Sequence, residues 1–156
     1  MKKEYPWKMK WTKRTMAALQ FVTENASVVD LGGGLGEVHD LRPDLYYLSI
    51  DREKWNEYTV VADMEKELPD IGHKRDFVLS LGAIEYMGDP ERFLSEIEKY
   101  GKSLVISYRY GPINMGRKNQ MTIGEFIKML KRSNWEIISE IKISTIERIW
   151  YCRKTL

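Results

Sequence analysis

Apolar residues along this chain follow two alternating patterns. Short apolar runs predict five successive strands, at residues 27–31, 45–50, 59–62, 76–81 and 103–108. Apolar residues that recur every three or four positions predict helices at 12–24, 90–100 and 122–133. Alternation of polar and apolar residues over 135–143 and 147–153 predicts a final antiparallel hairpin.

Local signals set the predicted bounds of the helices. A short helix over 37–42 must end before Pro43, because the proline ring is incompatible with a helix interior. Pro90 suits the first position of the next helix. Thr122 and Glu125 form a capping-box pattern at the start of the last one. The apolar side of the first helix is predicted to comprise Thr12, Met16, Leu19 and Val22.

The alternation of strands and helices predicts an α/β fold with a mostly parallel sheet and helices on both faces. The run 45–50 supports this, because a nearly continuous apolar strand is typical of a sheet covered on both sides. The 156 residues contain no internal repeat, low-complexity tract or linker. The chain is therefore expected to form one domain over 1–156.

Composition narrows the class of protein further. The apolar share of 43% and the charged share of 31% are ordinary for a globular protein, and no apolar run is long enough for a membrane span. Two histidines and one cysteine, Cys152, lack the spacing of a zinc site, so no metal is expected. The lone cysteine and the lack of a signal-peptide pattern predict a cytoplasmic protein.

Residues 1–14 form a basic and aromatic arm, in which lysines and an arginine alternate with Tyr5, Trp7 and Trp11. Such a segment can follow a polynucleotide backbone and stack on its bases. It can equally pack its tryptophans over the domain or over a ligand. The net charge of only +2 favours packing, so nucleic-acid binding stays open but is not favoured.

The stretch 30–36, Asp-Leu-Gly-Gly-Gly-Leu-Gly, joins the first strand to the following helix. Glycine tolerates positive φ and has no Cβ, so the chain can bring its backbone close to a ligand at the helix N-terminus. Asp51 and Asp63 end the next two strands, and Leu81-Gly82 ends the fourth. A single aspartate after a strand is usually a turn residue. Three in succession instead favour a ligand site beyond the carboxyl ends of a parallel sheet.

The glycine spacing disfavours a dinucleotide. The G-x-G-x-x-G pattern needs glycine at position 37 or 39, where Glu37 and His39 stand. Asp30 and Glu37 also flank the loop with negative charge, which repels a pyrophosphate and attracts a ligand with an ammonium and a sulfonium. Asp51 suits the hydroxyls of a ribose, since a carboxylate accepts with both oxygens.

The glycine stretch resembles the D-x-G-x-G-x-G motif of Rossmann-like, class I S-adenosylmethionine-dependent methyltransferases. Ile50-Asp51 is similar to the ribose-binding acidic position of that family, and Ala62-Asp63-Met64 to its adenine-side position. The segment 79–90 resembles the one that follows the fourth strand in small-molecule members, the methyltransferase type 11-like branch. The likeness covers about residues 26–156.

The resemblance implies a three-layer Rossmann-like sandwich, with a mostly parallel seven-stranded sheet and a C-terminal antiparallel hairpin. It implies a methyltransferase with S-adenosylmethionine as cofactor and an acceptor that is a small molecule. The residues that it assigns to the cofactor are Asp30, Gly32, Gly33, Gly34, Gly36, Asp51, Arg52, Asp63, Met64, Leu81 and Gly82.

Two departures from the family pattern concern the adenine side. Only seven residues lie between Asp51 and Thr59, which is too few for the helix that the family places there. The helix after the glycine stretch is also short. Both departures predict an open adenine pocket, which the arm 1–14 partly closes.

The chemistry depends on the acceptor, because a hydroxyl needs a general base and a stronger nucleophile does not. Candidate catalytic residues near the strand ends are His39, Glu85 and Tyr108. Candidates for contact with the substrate are Trp11, Glu85, Tyr86, Arg109 and Tyr110. Arg109 suits an anionic group. Each of them also has an ordinary interpretation as a core, surface or ion-paired residue.

Two other functions stay open. The shortened segments also fit a non-catalytic binding or regulatory subunit with a methyltransferase fold. An RNA methyltransferase that uses the arm 1–14 is less favoured. The Asn-Pro-Pro-aromatic type of motif expected of enzymes that methylate adenine amino groups is absent, since residues 80–83 read Ser-Leu-Gly-Ala.

Overall fold

A computed structural model of the chain describes residues 8–111 and 116–155. The strands in this part of the chain are β1 (Ser27–Leu31), β2 (Tyr46–Asp51), β3 (Thr59–Val61), β4 (Phe77–Ser80), β5 (Ser103–Arg109), β6 (Trp135–Ser144) and β7 (Glu147–Lys154). They form one seven-stranded sheet in the order β3-β2-β1-β4-β5-β7-β6. β1 to β5 pair in parallel, and β7 runs antiparallel to both β5 and β6.

The helices in the described ranges are α1 (Lys8–Leu19), α2 (Glu37–Leu41), α3 (Pro90–Glu96) and α4 (Ile123–Arg132). Short 3₁₀ turns follow at Ile84–Tyr86 and Ile97–Tyr100. The prediction of a mostly parallel, seven-stranded α/β sheet with a C-terminal hairpin is confirmed. The strand order changes direction between β1 and β4, and that crevice is where ligands of open α/β sheets bind.

Two apolar layers lie on opposite faces of the sheet. On one face, Leu94 of α3 and Phe126 of α4 pack with Trp135 and Trp150 of the hairpin. On the other face, the side chains that pack together include Ala18 of α1, Val38 of α2, Tyr47, Phe77 and Leu79. Because each face buries a separate set of large side chains, the sheet is covered on both sides, as its apolar strands require.

The predicted helix starts are confirmed for α3 and α4. Pro90 is the first residue of α3, and the side chain of Asp89 accepts a hydrogen bond from the Arg92 backbone N–H. Thr122 caps α4, since its Oγ1 accepts from the Glu125 backbone N–H at 3.1 Å. The helix predicted over 90–100 divides into α3 and the 3₁₀ turn Ile97–Tyr100.

The buried side of α1 differs from the predicted one. Met16 is 56% exposed, whereas Arg14 and Thr15 are buried. Arg14 donates hydrogen bonds to Glu147 and to the carbonyl of Leu81, and this anchoring turns its side of the helix toward the sheet. Residues three and four apart share a helix face, so Met16, two positions further on, points outward. The prediction that Met16 belongs to the apolar side was therefore wrong.

The helix α1 also begins earlier than predicted and ends earlier, at Leu19. Residues 8–14, predicted as part of the arm, belong to this helix. Residues 1–7 of the arm, and residues 112–115 of the loop after β5, lie outside the described ranges.

The segment between β2 and β3 contains no helix in the structure, as its length predicts. Asn56 connects this segment to the glycine loop, which we define as residues 32–36. Its Nδ2 donates to the carbonyl of Leu35 at 3.3 Å, and its Oδ1 accepts from the Tyr58 N–H at 2.9 Å. A side-chain amide therefore takes over part of the support that a helix would give.

Within the described residues, no helix has the length and hydropathy needed to cross a membrane. No group of three or more His, Cys, Asp or Glu residues there is arranged to hold a metal ion. Cys152 is fully buried, and burial raises the pKa of its thiol to about 12, so the sulfur is unreactive at neutral pH.

Replacing Thr122 with alanine should remove the cap of α4. We expect the free energy of unfolding to fall by about 1 kcal/mol. Thr145→Ala is the matched control, because Thr145 is exposed in the hairpin turn, and it should change stability by less than about 0.5 kcal/mol. Urea unfolding followed by circular dichroism measures both, and equal losses in the two variants would contradict this role for the cap.

Candidate active site

The glycine loop is held in a conformation that favours glycine. Gly32, Gly34 and Gly36 have φ values of 74°, 52° and 84°, in the left-handed region. Two hydrogen bonds fix the loop against β2: the Gly32 N–H donates to the Ile50 carbonyl at 2.7 Å, and the Gly34 N–H to Asp51 Oδ2 at 3.0 Å. The hydrogen bond from Gly34 means that Asp51 orients the loop. Because Asp51 is only half-buried at the end of β2, its carboxylate also faces the space beyond the strand ends.

Asp30 lies beneath the glycine loop. Its Oδ2 accepts a hydrogen bond from the Tyr47 hydroxyl at 2.8 Å, and only 4% of the residue is exposed. A Cβ at Gly33 would lie 2.6 Å from that hydroxyl and 2.8 Å from Asp30 Oδ2, so glycine allows the loop to rest on this pair. Burial raises the pKa of Asp30 to about 6, although the Tyr47 hydrogen bond and Arg14 oppose the shift.

Glu37, on the other side of the loop, is engaged by α1. The hydroxyl of Thr12 donates to its Oε1 at 2.5 Å, and that of Thr15 to its Oε2 at 3.3 Å. The carboxylate therefore joins the first helix to the start of α2. Both acidic residues that flank the loop thus have partners within the protein.

The end of β3 carries a network of charged side chains. Arg52 is largely exposed and bridges Asp63 and Glu65 at 3.5 and 3.3 Å. Asp63 Oδ1 also accepts from the Glu65 N–H at 3.1 Å, which fixes the turn after the strand. Met64 lines a cavity of about 30 Å³ with Met87, which is too small for an adenine ring. A larger, open cavity of about 520 Å³ lies along α3, away from the glycine loop.

The end of β4 is covered by a side chain from α1. The guanidinium of Arg14 lies on Gly82, where a Cβ would come within 2.6 Å of Nη1. Its Nη2 donates to the Leu81 carbonyl at 3.2 Å, and its Nη1 to Glu147 Oε2 at 3.3 Å. The ring of Trp11 stacks on the guanidinium at 4.2 Å, which shields it from solvent.

Glu85, in the 3₁₀ turn after β4, is a buried carboxyl. It is 4% exposed, and its Oε1 has no hydrogen-bond partner among residues 8–111 and 116–155. Burial raises the pKa of Glu85 to about 7, with Glu147 adding to the shift and Arg14 and Arg117 opposing it. The carboxyl therefore changes its charge near neutral pH.

The side chains of the other two catalytic candidates, His39 and Tyr108, are engaged in aromatic contacts or hydrogen bonds within the protein. His39 lies against the rings of Tyr58 and Tyr47, with centroid distances of 4.5 and 5.6 Å. Tyr108 stacks on Phe126 at 4.4 Å, and its hydroxyl donates to Asn119 Oδ1 at 2.8 Å. The same hydroxyl accepts from the Met121 N–H at 2.9 Å, so its hydrogen-bonding capacity is largely used.

A strap of residues 116–121 crosses the ends of β4 and β5. The Lys118 N–H donates to the Glu85 carbonyl at 2.8 Å, and Asn119 Nδ2 to the carbonyls of Ile84 and Met87, each at 2.8 Å. Arg117 donates to the carbonyl of Arg109. Glu85 is therefore enclosed by α1 on one side and by this strap on the other.

The candidate substrate residues differ in how far they are buried around this enclosure. Trp11 is half-buried against Arg14, and Arg109 and Tyr110 are half-buried at the end of β5. The Tyr110 hydroxyl accepts from Arg148 Nε at 3.3 Å. Tyr86 is 43% exposed, so it points away from the enclosure toward solvent.

Sequence reasoning missed three members of the site: Arg14, Arg117 and Glu147. In the sequence, Arg14 is one charge of the basic arm 1–14, and Glu147 is the first residue of a predicted strand. No local pattern signals their meeting, since they come from α1, the strap and β7. One sign was available: Arg14 is followed by Ala17 and Ala18, small residues that let a helix approach a sheet closely.

Comparisons with known proteins identify the fold. No protein-family model matches the sequence, and no curated protein is similar enough to count as a match. Among solved structures, the chain is similar to Burkholderia thailandensis 1,6-didemethyltoxoflavin-N1-methyltransferase with bound 1,6-didemethyltoxoflavin and S-adenosylhomocysteine. The TM-score is 0.78 at 15% identity over 96% of this chain and 81% of that one. The chain has the Rossmann-like methyltransferase fold.

Two further structures show how widely this fold is used. The PH0226 protein from Pyrococcus horikoshii OT3 matches with a TM-score of 0.78 at 12% identity, over 97% of this chain and 92% of that one. The [4+2]-cyclase SpnF matches with a TM-score of 0.77 at 12% identity, over 98% and 84%. Because a cyclase and a methyltransferase share this fold, the fold does not determine the reaction, which depends on the residues of the site.

The buried carboxyl of Glu85 gives a pH-dependent prediction. A raised pKa in the folded state means that the folded protein binds more protons than the unfolded chain between about pH 4.5 and about pH 7. Glu85 therefore lowers the free energy of unfolding as pH rises through this window. Glu85→Gln cannot ionise, so its stability relative to the wild type should rise by on the order of 3 kcal/mol from about pH 4 to about pH 8.

Urea unfolding of both proteins across this pH range measures the difference. Glu136→Gln is the matched control, because Glu136 is exposed on β6, and its difference from the wild type should stay nearly constant. A Glu85→Gln difference that is equally flat would show that this carboxyl does not titrate near neutral pH.

Proposed function

We propose that this protein is an S-adenosylmethionine-dependent methyltransferase that acts on a small molecule. The observation that carries the proposal is the junction of the glycine loop with β2. There the Gly34 N–H binds Asp51, which leaves an amide-lined loop and a half-buried carboxylate at the crevice between β1, β2 and β4. The crevice of an open α/β sheet is the usual site for an adenosine-containing ligand.

The residues around the crevice fit the parts of this cofactor. We assign the ribose hydroxyls to Asp51 and the adenine to Asp63 and Met64, which follow the ends of β2 and β3. Leu81 and Gly82 supply backbone after β4, and the bare Cα of Gly82 lets the guanidinium of Arg14 lie close to it. Asp30 supports the loop from beneath at Gly33. Gly32 and Gly36 are the ends of the loop, and Arg52 follows Asp51 at the end of β2. When bound, the cofactor supplies a methyl group activated on a sulfonium.

Glu85 is the candidate favoured for holding a proton of the acceptor. It is the buried carboxyl next to the end of β4, its Oε1 lacks a partner in the described part of the chain, and its pKa of about 7 suits a general base. His39 and Tyr108 are less favoured, because aromatic packing and two hydrogen bonds occupy them. The enclosure by α1 and the strap excludes water from this carboxyl.

The covering of Glu85 by α1 and the strap supports a small acceptor. Glu85 lies below α1 and the strap, where a polymer would have to displace both. Several structures with this fold have names that state methylation of small natural products, among them the mitomycin 7-O-methyltransferase MmcR. Trp11, Arg109 and Tyr110 border the enclosure and are the proposed acceptor contacts. The single buried Cys152 supports a cytoplasmic location.

A non-catalytic binding subunit is the second candidate function. It is favoured by the internal partners of Glu37 and by the small cavity beside Met64, which leave less room for a cofactor. An RNA methyltransferase that uses the arm 1–14 is a weaker alternative, since Arg14 of this arm is buried and paired with Glu147.

Binding of S-adenosylhomocysteine tests the proposal directly. A ligand of the native state at about a hundred times its Kd should raise the melting temperature by roughly 5–10 °C. Asp51→Asn should weaken binding by at least about tenfold, because the amide lacks the charge that orders the ribose hydroxyls. Gly34→Val should abolish the shift, since a β-branched side chain is strained at a φ of 52°.

Asp40→Asn serves as the control, since the side chain of Asp40 is exposed on α2 and the substitution leaves intact the backbone hydrogen bond from Asp40 to Gly36. Its melting shift with the ligand should match that of the wild type. A wild-type protein whose melting curve does not respond to S-adenosylhomocysteine or S-adenosylmethionine would overturn the proposal. Binding without methyl transfer to any tested small-molecule acceptor would favour the non-catalytic alternative.

A further inference from the structure

Arg14 is a buried cation in the middle of the candidate site. It is 8% exposed, and its guanidinium lies against Gly82 with one hydrogen bond to the Leu81 carbonyl. These are the two residues that border the glycine loop on the β4 side. Arg14 is therefore part of the wall of the site.

The hydrogen bonds of Arg14 leave a donor unused. A guanidinium carries five N–H groups in a planar fork. Nη1 and Nη2 reach Glu147 and Leu81, but the buried Nε has no partner among residues 8–111 and 116–155. A buried donor on a charged group is costly when it is unsatisfied, so an acceptor on a bound ligand that reached this N–H would relieve that cost.

The charges around Arg14 define which ligand group fits. Burial raises the pKa of both Asp30 and Glu85, and the charge of Arg14 opposes each rise, so Arg14 lies within electrostatic reach of the glycine loop and of the turn after β4. The other charged side chains near Asp30 and Glu85 are largely acidic. They include Glu37, Asp51 and Glu147. An ammonium is favoured almost anywhere in such a site. A carboxylate is favoured only beside a cation.

Arg117, the other buried guanidinium, is directed elsewhere. It donates to the carbonyl of Arg109 at the end of β5. Arg52 is largely exposed and bridges Asp63 and Glu65 at the end of β3. Among these three arginines, Arg14 is thus the one that lies against Gly82 and acts electrostatically on Asp30, the residue beneath the glycine loop.

We propose that Arg14 binds the carboxylate of the amino-acid end of the methyl donor. The inference rests on the proposed function and names a cofactor-binding residue that lies outside the glycine motif. Guanidinium pairs with carboxylate through parallel charge-assisted hydrogen bonds, and the free Nε supplies one of them. The helix α1 is then part of the cofactor site, since Thr12 and Thr15 tie it to Glu37 at the loop.

Decarboxylated S-adenosylmethionine is the probe that isolates this contact. It lacks the carboxylate and keeps the sulfonium, ammonium, ribose and adenine. An acidic site without a dedicated cation would bind this more positive ligand more tightly. If Arg14 holds the carboxylate, titration calorimetry should instead show that S-adenosylmethionine binds about 10- to 100-fold more tightly than its decarboxylated form.

Substitutions at Arg14 test whether its side chain causes the preference for S-adenosylmethionine over the decarboxylated form. Arg14→Met should reduce it to within about threefold, and Arg14→Lys should restore part of it, because lysine keeps the charge but not the fork. Lys13→Met is the matched control, since Lys13 is the exposed neighbour of Arg14 on the same helix, and it should keep the full preference.

The outcomes separate the two proposals. Equal affinity of the wild type for the two ligands, or a folded Arg14→Met that keeps the preference, would overturn the role of Arg14 while leaving the methyltransferase proposal intact. If neither ligand nor S-adenosylhomocysteine binds, the proposed function itself fails. Should Arg14→Met not fold, the comparison in the wild type still decides, because it needs no variant.

Discussion

The buried ion pair between Arg14 and Glu147 is the constraint on which the candidate site depends. Removing one partner of such a pair typically costs about 3–5 kcal/mol, because the other charge is left buried and uncompensated. The pair joins α1 to β7, and through Leu81 and Gly82 it also reaches β4. Three elements far apart in sequence are thereby held around one crevice.

In the candidate site, the positive charge of Arg14 acts on several buried acidic groups. Asp30 and Glu85 are both buried with raised pKa values, and Arg14 moderates each of them. The glycine loop rests on the first of these carboxyls, and the second lies within the enclosure formed by α1 and the strap. Stability and function therefore share the same residues, as is common where ionisable groups are buried at an active site.

Much of the fold could be predicted because its signals are local. The strand Ser27–Leu31, the cap at Thr122 and the absence of a helix between β2 and β3 follow from short stretches of sequence. The glycine loop was predictable for the same reason. The outward position of Met16 and the meeting of Arg14 with Glu147 were not, because a tertiary contact between residues 133 apart overrides helical periodicity.

The position of Glu147 has a consequence for folding. It is the first residue of β7, directly after the hairpin turn, and it is paired with Arg109 of β5. A slip of one residue in a strand moves every side chain to the opposite face. A chain with β7 out of register would therefore withdraw Glu147 and leave a buried arginine without its counter-charge. The electrostatics of the crevice thus add to the penalty that the alternation of buried and exposed side chains already places on a misaligned hairpin.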